Sequence, residues 1–246
     1  MTEKQIKLGN FTLANDQRVR ANLVIGADGR NSPVRQATGI TTETQRYGQK
    51  ALAFSATHAI PHDQVSTEIY NQGGAFTTVP LPDHNGLPAS AIVWMNKGAK
   101  AQNLATMNTP DFNSGMTERA CNLLGPMERI GKLNVWPVIT QRAARLTAER
   151  TALIAEAAHV LPPIGAQGLN TSLHDISALF DIVKSNADPL GSANQLDAYE
   201  KTRHRDIALR AHAIDAFNRI CMSGAPAIQA LQRTGLAAAH DIAPVR

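Results

Sequence analysis

The chain of 246 residues is short of several things, and each shortage removes a class of answer. Cysteine occurs twice, at Cys121 and Cys221, far apart and in no CxxC pair. That argues against a disulfide framework and a zinc site and fits a reducing compartment. Aromatic residues make up only 4%. A nucleic-acid surface ordinarily interleaves a basic stripe with aromatic rings. Here the formal charge is +4 and the basic residues are scattered, with small clusters at 142–145 and 203–205. Nucleic acid is not an expected partner. No run approaches the ~18 apolar residues of a membrane span, and residues 1–10 are polar, without an apolar signal core. The expectation is a cytoplasmic protein that at most touches a membrane surface.

What is present suits a globular chain: 43% hydrophobic and 18% charged residues, enough to bury a core. Residues 5–8 and 11–13 flank Gly9-Asn10 and read as a hairpin. Residues 21–26 hold Leu23, Val24 and Ile25 in sequence, a continuity that suits a strand covered on both faces. A helix is expected over 32–37, with Ser32 as its cap and Pro33 in the first turn. Candidate strands at 50–57, 65–71, 76–81 and 90–95 alternate with turn clusters at 61–63, 73–74 and 82–86, the pattern of an antiparallel sheet. A helix over 109–124, strands over 132–139 and 141–146, and an apolar strand at 152–155 follow. Then come a loop over 162–168 and a helix over 172–184. A polar connection at 185–192 leads to a long amphipathic helix over 196–221 and another over 225–239. The expected class is α+β: an α/β part interrupted by an antiparallel sheet, with C-terminal helices. Its segments are 1–48, 49–140, 141–190 and 191–246.

Two loops carry the chemistry. In Gly26-Ala27-Asp28-Gly29-Arg30-Asn31-Ser32, a strand stops at a turn that places a carboxylate at its carboxyl end, where open α/β sheets hold ligands. Gly29 permits a positive φ or a close approach, the first amides of the next helix are available to a phosphate, and Arg30 and Arg35 add positive charge. A plain Asp-Gly turn reads the same way. The second loop, 155–170, is less easily generic. Glu156 ends an apolar strand, Ala157 and Ala158 are small, Pro162 and Pro163 stiffen the path, and Gly165 and Gly168 let amides face a flat ligand. The next helix then aims its free N-terminal amides at the same point.

Gly26-Ala27-Asp28-Gly29 resembles the Asp-Gly motif of the FAD-dependent aromatic-ring hydroxylases. Residues 155–170 resemble their Gly-Asp motif followed by a Pro-x-Gly-x-Gln-Gly-x-Asn loop, in the form closest to the UbiH/UbiF type of ubiquinone-biosynthesis hydroxylase. Asp175, the Arg142-Ala143-Ala144-Arg145-Leu146 stretch and Tyr199-Glu200-Lys201-Thr202-Arg203 are similar to that family too. The resemblance implies FAD as cofactor and NAD(P)H as reductant, with dioxygen used to hydroxylate an electron-rich phenol. It places Asp28 and Gly29 near the FAD pyrophosphate and Glu156 on a ribityl hydroxyl. Pro163, Gly165, Gln167, Gly168 and Asn170 fall along the flavin ring, Ala157 and Leu169 are further cofactor-binding residues, and the sheet over 49–95 becomes a lid above an aromatic substrate. No catalytic side chain is singled out and no metal is expected. A polyprenyl phenol is the expected substrate and a small soluble phenol the alternative. Peripheral contact with the inner membrane, a homo-oligomer and a ubiquinone-biosynthesis complex are the partners such a substrate implies.

The family pattern begins with a βαβ unit carrying G-x-G-x-x-G, which this sequence does not show. The expectation is therefore a chain truncated at its N-terminus, with a non-catalytic remnant that binds no flavin alone as the alternative. Ala155 and Glu156 stand where the pattern has Gly-Asp. Four further readings are bland. His159 and His174 lack metal-ligand spacing, and His159 is expected as a loop residue beside the flavin. Ser32, His159 and Asp175 lack the G-x-S-x-G elbow of a hydrolase. Trp94 and Trp136 read as core or sheet-face residues. Residues 203–210 read as a solvated helix face, with anionic lipid as the functional alternative.

Overall fold

A computed structural model describes residues 9–12, 16–70, 73–185 and 187–222. In chain order the elements are β1 (Gly9–Thr12), β2 (Arg18–Ala21), β3 (Val24–Gly26), α1 (Pro33–Ala37), β4 (Thr42–His58), β5 (Thr67–Ile69), β6 (Phe76–His84), β7 (Leu87–Lys97), α2 (Gly98–Thr106) and α3 (Thr109–Arg119). They continue with β8 (Met127–Ala143), β9 (Thr147–Ala148), β10 (Thr151–Leu153), α4 (Ala155–Ala158), β11 (His159–Val160), α5 (Gln167–Ser185) and α6 (Ala193–Met222). The chain divides into two units. Of the described residues, those within 9–45, 139–162 and 166–213 form the first, and those within 46–138, 163–165 and 214–222 the second. The class is α+β, as expected.

In the first unit, β3 pairs in parallel with β10, Val24 opposite Thr151 and Gly26 opposite Leu153, and β9 closes the other side of β10. A Cβ on Gly26 would lie 2.8 Å from Leu153 Cδ2 and 3.0 Å from Val34 Cγ1, so only glycine lets α1 settle onto this sheet. The core gathers Leu146, Ala152, Leu153, Ala157, Leu179, Leu196 and Tyr199. Long α5 buries Thr171, Asp175 and Leu179 and turns Leu169, Leu173, Ile176 and Phe180 outward, so it is apolar on two faces. The end of β8 pairs with β11, Arg142 opposite His159.

In the second unit the strand order is β8-β4-β7-β6-β5. Alternation along β4 sends Leu52, Phe54 and Ala56 to one face, where they meet Leu104 of α2 and Phe112 and Met116 of α3. Phe54, Phe76, Trp94 and Phe112 make edge and tilted ring contacts there, with centroids 5.3–5.7 Å apart. On the other face Ala51, Met95 and Val138 bury Ile164.

The hairpin, helix and strand expectations are corrected in detail. Gly9-Asn10 lies inside β1, which pairs with β2; the chain reverses nearer Asp16, whose φ of 62° is the left-handed conformation Asp tolerates. The 21–26 run is split, and Ile25 is 48% exposed, so β3 is not covered on both faces. The two strands expected over 132–146 are one, β8, because Gln141 and Arg142 keep pairing with β11. Helix α2 was not expected; Ala101 and Leu104 give it only a short buried stripe. Helix α3 stops at Arg119, where Cys121 and Asn122 adopt positive φ. The helix expected over 225–239 and the strand over 5–8 lie outside the described residues.

Candidate functional site

The Asp-Gly loop is closed by its own side chains. Ser32 Oγ accepts the amide of Arg35 at 2.9 Å, and Asp28 Oδ2 accepts that of Val34 at 3.0 Å. The first-turn amides expected to receive a phosphate are thus engaged, which corrects that reading: α1 is capped from within. Burial alone would raise the Asp28 carboxyl; the Ser32 hydroxyl, the amides of Val34 and Asp28, and the charge of Arg35 outweigh it and hold the group below its ordinary value. Gly29 has φ +84° and open space where a Cβ would stand, so the turn, not close packing, demands glycine. Ser32 is buried at this cap, away from any hydrolase geometry.

Arg35, expected to add positive charge at the loop, is engaged within the protein. Its side chain is buried, and Nη1 donates to the carbonyl of Ala157 at 2.7 Å while Nη2 donates to that of Arg30 at 2.7 Å. The first loop is thereby tied to the second. Arg30 Nε adds an ion pair to Glu156 Oε2 at 3.5 Å.

The second motif turns on Ala155, whose φ is +53°. This left-handed conformation is one that glycine, the residue of the family pattern at this position, adopts without strain. Ala157 and Ala158 are buried, so Glu156 is the side chain that α4 presents, 53% exposed. His159 is not a loop residue. It lies buried in β11, its Nε2 2.7 Å from Asp175 Oδ2. Asp175 also accepts the Ala155 amide at 2.9 Å and Arg203 Nε at 2.9 Å.

Pro163 and Gly165 belong to the second unit, where Ile164 is buried between them. The Gly165 amide donates to Glu68 Oε1 at 3.0 Å; the expectation that it faces a ligand is corrected, because a carboxylate already holds it. In the first unit Gln167, Gly168, Leu169 and Asn170 form the first turn of α5. That turn carries no acidic residue, and a Cβ on Gly168 would meet nothing within 4 Å. Gly168, Leu169 and Asn170 are exposed. A 19-residue helix with an open, uncharged first turn offers partial positive charge to an electron-rich ring edge. The donor set fits a flavin.

Residues 9–211 match the family model of an FAD binding domain, which decides the kinship. The chain belongs to that FAD-binding family. It is similar to ubiquinone hydroxylase UbiL of Rhodospirillum rubrum, 30% identical over 96% of this chain and 54% of the relative. It is also similar to 3-demethoxyubiquinol 3-hydroxylase of Escherichia coli, 26% identical over 95% of this chain and 59% of that protein. The chain thus spans somewhat over half the length of these relatives. Among solved structures, Pseudomonas aeruginosa PqsL in complex with 2-aminobenzoylacetate superposes with a TM-score of 0.73 at 20% identity, over 87% of this chain and 59% of that one. Klebsiella pneumoniae HpxO complexed with FAD and uric acid gives 0.72 at 16%, over 95% and 60%. Both share the fold.

The tail residues singled out in the sequence prove to pin the first unit. Tyr199, fully buried, donates its hydroxyl to the Leu153 carbonyl at 2.9 Å. Glu200 Oε2 accepts the Leu146 amide at 2.7 Å and the Thr147 hydroxyl at 3.1 Å. Arg203 is 4% exposed, drawn in by the buried Asp175 carboxylate, and half-buried Arg210 bonds Asp206 and His174, whereas His204, Arg205 and Leu209 are exposed, so 203–210 is a solvated face only in part. His174 is exposed beside Arg210. Trp94 is core and Trp136 is an exposed sheet-face residue. No described helix is long and apolar enough to cross a membrane.

Proposed function

We propose that this chain carries the flavin loops and substrate sheet of an NAD(P)H-dependent monooxygenase that hydroxylates the ring of a polyprenyl phenol in ubiquinone biosynthesis. The observation that carries the reading is the bonding of the two motif loops through Arg35, which gives the first unit one preorganised edge for FAD. In this reading Glu156 holds a ribityl hydroxyl, and Asp28 and Gly29 lie toward the pyrophosphate. Ala157, Gln167, Gly168, Leu169 and Asn170, all of the first unit, border the ring. Bound FAD supplies electron transfer from NAD(P)H and activation of dioxygen; the protein's part is to hold, orient and exclude water.

An apolar substrate is favoured by the second unit. On the sheet face opposite the helices, Ala53 and Ser55 of β4 lie opposite Val93 and Ala91 of β7. These small side chains floor a cavity of about 460 Å³ whose lining includes Ile130, Lys132 and His84, a size usual for small-molecule sites, ~300–1,000 Å³. Kinship to two ubiquinone hydroxylases supports the same substrate class.

The test loads the chain with FAD and follows NAD(P)H oxidation with a polyprenyl phenol or a tail-less phenol under air. Mass spectrometry then looks for one added oxygen. Product from the polyprenyl phenol, with Ala91→Trp raising KM for it and not for the tail-less one, supports the reading. A flavin-saturated chain that hydroxylates neither refutes it.

A further inference from the structure

Asp175 is fully buried on α5, and nothing in the chemistry above uses it. A buried carboxylate is expensive unless every oxygen is answered. Here each is. Oδ2 accepts the Ala155 amide and His159 Nε2, and Oδ1 accepts Arg203 Nε. Arg203 is steadied in turn by the Thr171 carbonyl at 3.2 Å and by Asp206. One side chain therefore ties α5, α6 and β11 to a single backbone amide.

That amide belongs to Ala155, the left-handed residue at the head of the Glu156 turn. An L-residue persists at positive φ only where its surroundings over-determine it. Two side chains do so here: Asp175 holds the turn at the Ala155 amide, and Arg35 holds it at the Ala157 carbonyl. Between these two points stands Glu156, partly exposed. A hydrophobic residue at 175 would leave the Ala155 amide, His159 Nε2 and the buried Arg203 guanidinium without this acceptor.

We propose that Asp175 is a positioning residue: through the Ala155 amide it fixes the left-handed turn that aims the Glu156 carboxylate, and so it sets affinity for FAD without touching the cofactor. The proposal rests on the reading of Glu156 as an FAD ligand.

The experiment is a double-mutant cycle on the full chain, with FAD affinity read from flavin fluorescence and protection of residues 153–158 read from hydrogen exchange. Asp175→Asn should weaken FAD binding about tenfold and expose the Ala155 amide to exchange. In a Glu156→Ala background the same change should alter affinity less than twofold, because its effect runs through Glu156. Tyr199→Phe, which removes a hydrogen bond from the same core, should lower the melting temperature and leave affinity within twofold. If Asp175→Asn does not fold, Asp175→Glu, which keeps the charge and moves the oxygens by one methylene, replaces it in the cycle with the same expectations. Equal losses of affinity in both backgrounds, or no loss in a folded variant, would overturn the proposal. If the wild type binds FAD and Glu156→Ala binds equally well, the Glu156 reading fails and the proposal with it. A wild type with no saturable FAD binding sinks the flavin reading itself, a result separable from the rest because the exchange data still report the turn.

Discussion

The Nη1 of Arg35 donates to the carbonyl oxygen of Ala157 at 2.7 Å, joining two motifs that stand 122 residues apart in sequence. The same guanidinium holds the Arg30 carbonyl, so one buried cation braces both loops. Charge-assisted bonds are worth ~1.5–3 kcal/mol each, and orphaned buried carbonyls add their own penalty. Arg35→Met, which removes both bonds, should therefore cost about 3–6 kcal/mol in urea denaturation. Arg35→Lys should recover only part of the loss, since a single ammonium cannot reproduce the two-nitrogen fork. A lysine variant as stable as wild type would contradict this.

Ala155 should be improvable. Relief of a left-handed alanine is worth ~1–2 kcal/mol, and the extra freedom of glycine in the unfolded chain takes back ~0.4–1 kcal/mol. Ala155→Gly should raise stability by about 0.5–1 kcal/mol, measured as a shift in urea midpoint at constant slope. A loss of stability would show that the methyl makes contacts that matter more than the turn.

The Asp28 and Asp206 carboxyls both sit below the ordinary aspartate value. Burial opposes this in each case, and hydrogen bonds and arginine charge outweigh it. A depressed folded value means that the stabilisation is present above the unfolded aspartate value of ~3.9 and is lost as pH falls through the folded one. Stability should thus be insensitive to these two groups between pH 5 and pH 7, on the order of that reference value, and decline at more acid pH. Asp28→Asn should flatten the acid limb of the pH–stability curve. An Asp28→Asn variant whose acid limb matches wild type would refute the assignment.

Tyrosine ionisation offers an optical check. Burial pushes the phenols of Tyr70 and Tyr199 well above their ordinary value, helped by Glu68 in the first case and Asp175 in the second. Of the three tyrosines in the chain, these two should stay protonated until the protein unfolds in base. Absorbance at the phenolate band should show a rise coincident with loss of circular dichroism. A single titration near the ordinary tyrosine value of ~10 would contradict the burial of both.

Much of the fold could be read from local pattern. The strands over 50–57, 76–81 and 90–95 were legible because β-formers alternate with Gly, Pro and Asn-Gly turns, and Asn85-Gly86 takes the positive φ angles a tight hairpin needs. The helix over 32–37 was legible because Ser32 and Pro33 are specific start signals. What could not be read was pairing at long range. Arg35 was read only as positive charge beside the loop, Arg203 as part of a solvated face and His159 as a loop residue, because burial of a polar side chain depends on a partner that only the folded chain supplies. The Gly165 amide was likewise read as open because nothing local points to Glu68. Ala155 kept the motif recognisable while hiding its geometry: glycine would have announced the left-handed turn, and alanine does not.

The measurement that tests the central claim most directly is an equilibrium titration of the purified chain with FAD, followed by flavin fluorescence and absorption, beside Gly168→Trp. A saturable change in the wild type, lost when the indole fills the open space at the first turn of α5, is the predicted result. An unperturbed flavin spectrum with the folded wild-type chain, or equal binding by Gly168→Trp, would contradict the assignment of these loops to the cofactor.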